Sequence, residues 1–198
     1  METIKITFDN GEEREYIKGI KLKEVIQSIA EKNSLDTIVA KYNGKTVYED
    51  FELTKKGKLL LYNINTNIGN KAYERGLIYL FEVCASEVLG NDTKIIIKYS
   101  LDKGVFCKIS KSISENDISN IKKEMKKKIK EALPFEKIET TKTEALDFFK
   151  SIKREDKVRT LFYNNDNLVT LYKLENYYNY MIGEMPLSTK GLKFFDLT

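Results

Sequence analysis

The chain has 198 residues, enough for one large or two small domains. Lys and Arg number 34 against 30 Asp and Glu, and this net charge of +4 is too mild to mean nucleic acid by itself; 41% of residues are apolar and 32% charged, an ordinary globular balance. There is no histidine, which excludes imidazole acid–base catalysis, Ser-His and Cys-His nucleophile pairs and histidine-ligated metals. Cys84 and Cys107 are too far apart in sequence to form a ligand pair. No apolar run is long enough for a helix to span a bilayer. The opening Met-Glu-Thr-Ile-Lys lacks the basic start, apolar stretch and cleavage site of a signal peptide, so the expectation is a cytoplasmic chain with no membrane partner.

Residues 1–63 read as a small β-rich unit. Ile4, Ile6 and Phe8 alternate with polar residues and predict a half-buried strand. Asp9-Asn10-Gly11-Glu12 is a turn, and Glu13 to Ile17 returns from it. Leu22, Val25, Ile26 and Ile29 recur at helical spacing and predict an amphipathic helix over 21–32, ended by Asn33-Ser34. Strands follow at Ile38–Tyr42 and Lys45–Tyr48, joined by the hairpin signal Asn43-Gly44, and a buried strand at Lys58–Tyr62 closes the unit. The order predicts one helix crossing one mixed sheet. With 11 basic and 11 acidic residues here, all of the net charge lies downstream.

Residues 64–70 are polar and Asn-rich and read as a linker. A largely buried helix is expected over 71–89, then strands at 94–99 and 105–109 around the turn Asp102-Lys103-Gly104. Ser114 and Asp117 form a capping-box pattern for a helix that ends before Pro134, with Ile118, Ile121, Met125, Ile129 and Ala132 as its core stripe. A strand at 138–140 and a short helix at 143–152 come next. The tail, 158–198, reads as strands and turns, with Asn164 to Asn167 as a hairpin tip. This half reads as α+β, with helices on one face of the strands.

The first half, through Ile4-Lys5-Ile6-Thr7-Phe8-Asp9-Asn10-Gly11, Leu22 to Ile29 and Val39-Ala40-Lys41-Tyr42-Asn43-Gly44-Lys45, resembles a TGS domain, the ubiquitin-like β-grasp module of threonyl-tRNA synthetases and stringent-response enzymes. The second half is similar to the editing-like domain that follows TGS in threonyl-tRNA synthetase, in its helix over 72–89, its hairpin and its Ser114-Glu115-Asn116-Asp117 helix start. The resemblance implies an α+β chain: a TGS β-grasp domain over 1–63, a linker over 64–70, and an editing-like domain over 71–198. That family's zinc pattern is His-x-x-x-His followed later by Cys-x-x-x-His. Those positions align with Arg75 and Tyr79, then Met181 and Met185, none of which fits, so no metal, cofactor or hydrolytic residue carries over. The tail from Tyr177 to Gly191 also looks like the N-terminal region of bacterial uridine-kinase-like proteins, although no phosphate-binding G-x-x-x-x-G-K-[ST] occurs here.

On this reading the chain is a non-catalytic binding or regulatory region attached to a nucleoside kinase domain, with RNA or a nucleotide as ligand. An alternative is an aminoacyl-tRNA deacylase working without zinc; a third reading is a dimerisation scaffold. The oligomeric state is left open. Two sites are candidates. Arg75, Tyr79, Tyr178, Tyr180, Met181 and Met185 would line a vestigial cleft suited to an anion beside an aromatic group; the competing reading has the methionines filling the gap and Arg75 paired with a nearby acid. Lys122, Lys123, Lys126, Lys127 and Lys130 would track RNA phosphates; the competing reading is a solvated helix face. Cys84 and Cys107 read as core and strand residues, not nucleophiles.

Overall fold

The structure is a computed structural model that describes residues 2–30, 36–101 and 104–198. In the first unit, β1 (Thr3–Thr7), β2 (Glu13–Ile17), β4 (Val39–Tyr42), β5 (Lys45–Val47) and β7 (Gly57–Tyr62) form a sheet in the order β2-β1-β7-β4-β5. Only the β1–β7 pair is parallel. Two short strands, β3 (Ile20–Lys21) and β6 (Glu52–Leu53), pair beside it. The helix α1 (Leu22–Ile29) buries Leu22 and Val25 against Ile4, Ile6, Phe8, Leu53 and Leu59. The helix ends at Ile29, with Ala30 already extended, short of the expected 21–32; Asn33-Ser34 lie outside the described residues, as do Asp102 and Lys103 of the downstream turn.

The second unit is organised around α2 (Asn67–Leu89). This helix begins earlier than its apolar pattern suggested, because Thr66 caps it by accepting from the Gly69 N–H at 3.1 Å. Asn67–Asn70, expected as linker, are therefore its first turn. The hairpin β8 (Ile95–Leu101) and β9 (Gly104–Ile109) comes next, then α3 (Glu115–Glu131), which starts on the Ser114–Asp117 capping box. The strands β10 (Glu136–Thr141), β11 (Leu168–Leu174) and β12 (Tyr177–Tyr180) form an antiparallel sheet.

Two expectations for this half are corrected. Helices cover both faces of the sheet, because β11 is apolar on both: Tyr172 and Leu174 join the core around α2, while Val169 and Leu171 join a smaller core under α4 (Lys142–Ser151) and α5 (Glu155–Phe162). The segment after 158 begins as α5, not as a strand. Val158 and Leu161, one turn apart, bury its inner side, and Asn164–Asn167 connect α5 to β11 rather than tipping a hairpin.

A strap from Gly183 to Leu192 ties the units together. The Leu187 N–H donates to the Ile38 carbonyl at 2.8 Å, and its own carbonyl accepts from the Phe135 N–H at 3.4 Å. Thr189 is fully buried; its hydroxyl donates to the Lys128 carbonyl at 2.6 Å and accepts from the Leu133 N–H at 2.9 Å, satisfying the end of α3. Ile38 and Val39 lie in the same core as α2, so the two units share apolar packing. Gly76 is what lets the strap cross α2: a Cβ there would sit 2.5 Å from the Pro186 ring carbon Cγ. A Gly76→Val change should therefore lower unfolding stability by about 1–3 kcal/mol through overpacking, read as a lower urea midpoint. An unchanged midpoint would mean the strap is loosely seated.

Candidate functional site

The positions aligned with the metal pattern come together in space, and the place they share is filled. Tyr79 is 2% exposed. Its hydroxyl lies 2.9 Å from the Tyr172 carbonyl and 2.7 Å from that of Tyr177, and its single proton serves these two acceptors. Burial pushes this phenol far above its ordinary pKa. Its ring packs against Phe135, with centroids 5.8 Å apart. Met185 is buried in the same core, and Met181 packs against it. Arg75 turns to the strap: its Nη1 donates to the Glu184 carbonyl at 2.7 Å, and its guanidinium lies over Gly183, where a Cβ would be 2.7 Å from Nη2. The Glu184 carboxylate is taken by the first unit, by the Thr46 hydroxyl at 2.6 Å and Lys41 at 3.2 Å.

Tyr178 and Tyr180 are not part of that place. Strand alternation turns them to the opposite face of β12. There Tyr178 meets Phe148 edge-on at 5.3 Å, and the Tyr180 hydroxyl accepts from Asn164 at 2.8 Å. A guanidinium, a phenol with a committed proton and two thioethers do not suit zinc, and no group of three or more metal-ligating side chains occurs among the described residues. Burial pushes the Cys84 thiol up to about 12; Cys107 is exposed on β9, and partial desolvation raises it as well.

A polar cluster that the sequence did not reveal lies one turn further along α2. Glu82 is buried and accepts from Asn179 Nδ2 at 2.6 Å. Arg154, just before α5, approaches Glu82 at 3.8 Å and binds Asp156 through two hydrogen bonds, at 2.9 and 2.8 Å. Lys157 donates to the Tyr180 carbonyl at 3.2 Å. Its pKa is lowered, chiefly because burial disfavours the ammonium and also because Arg154 lies near, against the opposing pull of Glu82 and Asp156. Burial also works against charge on Arg154 and Asp156, but their mutual hydrogen bonds win, holding Arg154 above and Asp156 below their ordinary values.

Asn179 is the unusual member. It is 1% exposed, and its Oδ1 has no hydrogen-bond partner. The amide cannot turn over to cure this, since that would set Oδ1 against the Glu82 carboxylate. A buried acceptor without a donor costs about 1–3 kcal/mol. Glu82 and Asn179 stand far apart in sequence on elements of different type, and nothing in their local patterns joins them.

The lysine run of α3 divides by depth. Lys128 is buried and bridges Glu87, at 3.1 Å, and Glu175. Lys122 pairs with Asp196, and Lys127 with Glu124 at 3.4 Å. Lys123, Lys126 and Lys130 face solvent.

Two outcomes follow. Replacing Tyr79 by Phe strips the proton from two buried carbonyls and should cost about 1–3 kcal/mol in urea unfolding; no cost would mean that water reaches them. Elemental analysis of the purified, dialysed chain should find far less than one zinc per molecule. A stoichiometric value would require ligands other than these four positions.

No family model matches the chain. It is similar to threonine–tRNA ligases: 26% identical over 197 residues to that of Desulforamulus reducens, covering 98% of this chain and 31% of the relative. The match to the Streptococcus suis ligase is 26% over 197 residues, covering 98% and 30%. That to the Caldanaerobacter subterraneus ligase is 27% over 158 residues, covering 79% and 24%. The chain thus spans under a third of the length of these relatives.

Proposed function

We propose that this chain is a tRNA-directed pair of units of the kind that fronts threonyl-tRNA synthetases, and that its second unit hydrolyses aminoacyl-tRNA esters without a metal. The first unit is read as a TGS-type β-grasp over 1–63, joined through 64–66 to an editing-like unit that starts with α2 at Asn67. The order β2-β1-β7-β4-β5, with its one parallel pair and a helix packed across it, supports the β-grasp reading. The threonine–tRNA ligases supply the tRNA. A tRNA substrate goes with a cytoplasmic protein.

The observation that carries the chemistry is the orphaned Asn179 Oδ1, buried beside Glu82 with Arg154 and Lys157 at the margin. An acceptor so placed would suit one buried water. Glu82 Oε1, which Arg154 approaches only to 3.8 Å, suits an α-ammonium group. Water adds to the ester carbonyl and the ester C–O bond breaks. Lys157, whose charged form burial disfavours, takes the proton from water and returns it to the departing ribose oxygen. Arg75, Tyr79, Met181 and Met185 have a structural part in this reading: they fill the place the related pattern gives to metal. Tyr178 and Tyr180 hold α4 and α5, and the exposed α3 lysines are a solvated face. The attachment to a nucleoside kinase rests on the resemblance of the tail alone, and the three relatives named above are ligases.

The test is ester release from seryl- and threonyl-tRNA by the full chain in the presence of a chelator. The rate should be insensitive to chelation. It should fall about tenfold or more in Asn179→Ala and about a hundredfold in Lys157→Met. Because the Lys157 pKa is lowered, the active amine form grows as pH rises through a value below that of an ordinary lysine, and the lysine-dependent part of the rate should rise with it. Release no faster than the uncatalysed rate would overturn hydrolysis and leave a binding region.

A further inference from the structure

The hairpin β8–β9 stands apart from the other sheets, its strands pairing only with each other. A two-stranded ribbon is marginal alone. One face leans on the body, where Ile95, Ile97, Val105 and Ile109 are partly covered. The other is open. Ile96, Tyr99 and Phe106 are 45%, 59% and 47% exposed. A register shift between Ile97 and Tyr99 sets Tyr99 directly opposite Phe106, and their rings stack at 5.0 Å, inclined by 25°. Lys108 lies opposite Ile96 on this ribbon, and Lys94 and Lys98 are exposed beside it. Among the described residues, none of these three lysines has a carboxylate within salt-bridge distance, whereas Lys122, Lys127 and Lys128 of α3 all do. Residues 92–111 contain five lysines and two aspartates, a net +3, with Lys111 paired to Asp92 at 2.7 Å.

We propose that this hairpin binds an unpaired RNA strand: Tyr99 and Phe106 stack its bases, and Lys94, Lys98 and Lys108 hold its phosphates. The choice of RNA rests on the tRNA-directed reading above; the choice of site rests on the ribbon. An aromatic platform ringed by uncompensated cations matches the two things a single strand offers, exposed base faces and a polyanionic backbone. A duplex buries its base faces and would meet only the lysines. An apolar partner protein has no use for the excess charge.

The experiment measures binding of the full chain to an unpaired 12-nucleotide RNA, to the duplex of the same sequence and to an uncharged tRNA. The single strand and the tRNA should bind better than the duplex. Tyr99→Ala with Phe106→Ala should weaken single-strand binding by about fivefold or more, while Tyr99→Phe retains it. The Lys94→Gln, Lys98→Gln, Lys108→Gln triple variant should flatten the slope of log affinity against log salt by about 2. Changing Lys122, Lys126 and Lys130 to Glu should do less. The hairpin residues changed are exposed, and an unchanged urea midpoint separates lost binding from lost folding. Wild-type affinity in both hairpin variants, or preference for the duplex, would overturn the proposal. So would a dimer seen by sedimentation that the aromatic variant dissolves while RNA binding persists, which would assign the ribbon to a second copy. RNA binding lost only in the hairpin variants, in a chain that hydrolyses no ester, would uphold this site and refute the hydrolytic reading alone.

Discussion

A single residue on the strap holds the molecule in register. Leu187 gives its N–H to Ile38 of the first unit and its carbonyl to Phe135 of the second, so its two backbone groups are satisfied by different units. Both neighbours reinforce the placement. The Pro186 ring rests where Gly76 offers no Cβ, and the Ser188 hydroxyl donates to Glu49 at 2.9 Å. Every contact here joins residues far apart in sequence. The loop-closing entropy is met by a shared core in which Ile38 and Val39 pack with α2, Phe135 and Leu192.

The strap also explains why the two halves of the candidate site have such different character. Arg75 meets the strap directly, its guanidinium serving the Glu184 carbonyl, and Met185 of the strap is buried in the core that holds Tyr79, whose proton is already committed to β11 and β12. One turn along α2 the strap no longer covers the helix. There the buried charge of Glu82 is compensated by an amide and, at longer range, by a guanidinium drawn from the α4–α5 junction. A buried carboxylate needs such partners, and recruiting Asn179 leaves that side chain's own acceptor unmet. The unpaired atom is a consequence of solving the larger electrostatic problem first.

Charge is partitioned by the same logic. On α3, lysines that approach the body meet acids from elements that fold back on it, Glu87, Glu175 and Asp196. On the β8–β9 ribbon Glu74 of α2 reaches the Ser100 hydroxyl, at 3.3 Å, and among the described residues Lys98 and Lys108 have no carboxylate within salt-bridge distance. A net charge of +4, mild as an average, still leaves the exposed Lys94, Lys98 and Lys108 grouped on and beside this one hairpin.

Local chemistry written in the sequence was sufficient for most elements. Alternation at Ile4, Ile6 and Phe8, the turn at Asn43-Gly44 and the capping box at Ser114 each specify an element through neighbours a few residues away, and each appears in the structure. Local patterns mislead where tertiary packing supplies the partner. The polar run at Asn67–Asn70 becomes helix because Thr66 caps it, and α5 forms because Val158 and Leu161 find a core under β11. Composition shows that the chain has no histidine, and the resemblance alone pointed to Arg75, Tyr79, Met181 and Met185 as the places where the related pattern has its ligands. Which polar groups would converge was not legible, because Glu82, Arg154, Lys157 and Asn179 sit on three separate segments whose approach is decided by how the sheet packs between helices. A sequence records what each residue can do, and only the tertiary structure decides which residues share a dielectric and must answer one another's charges.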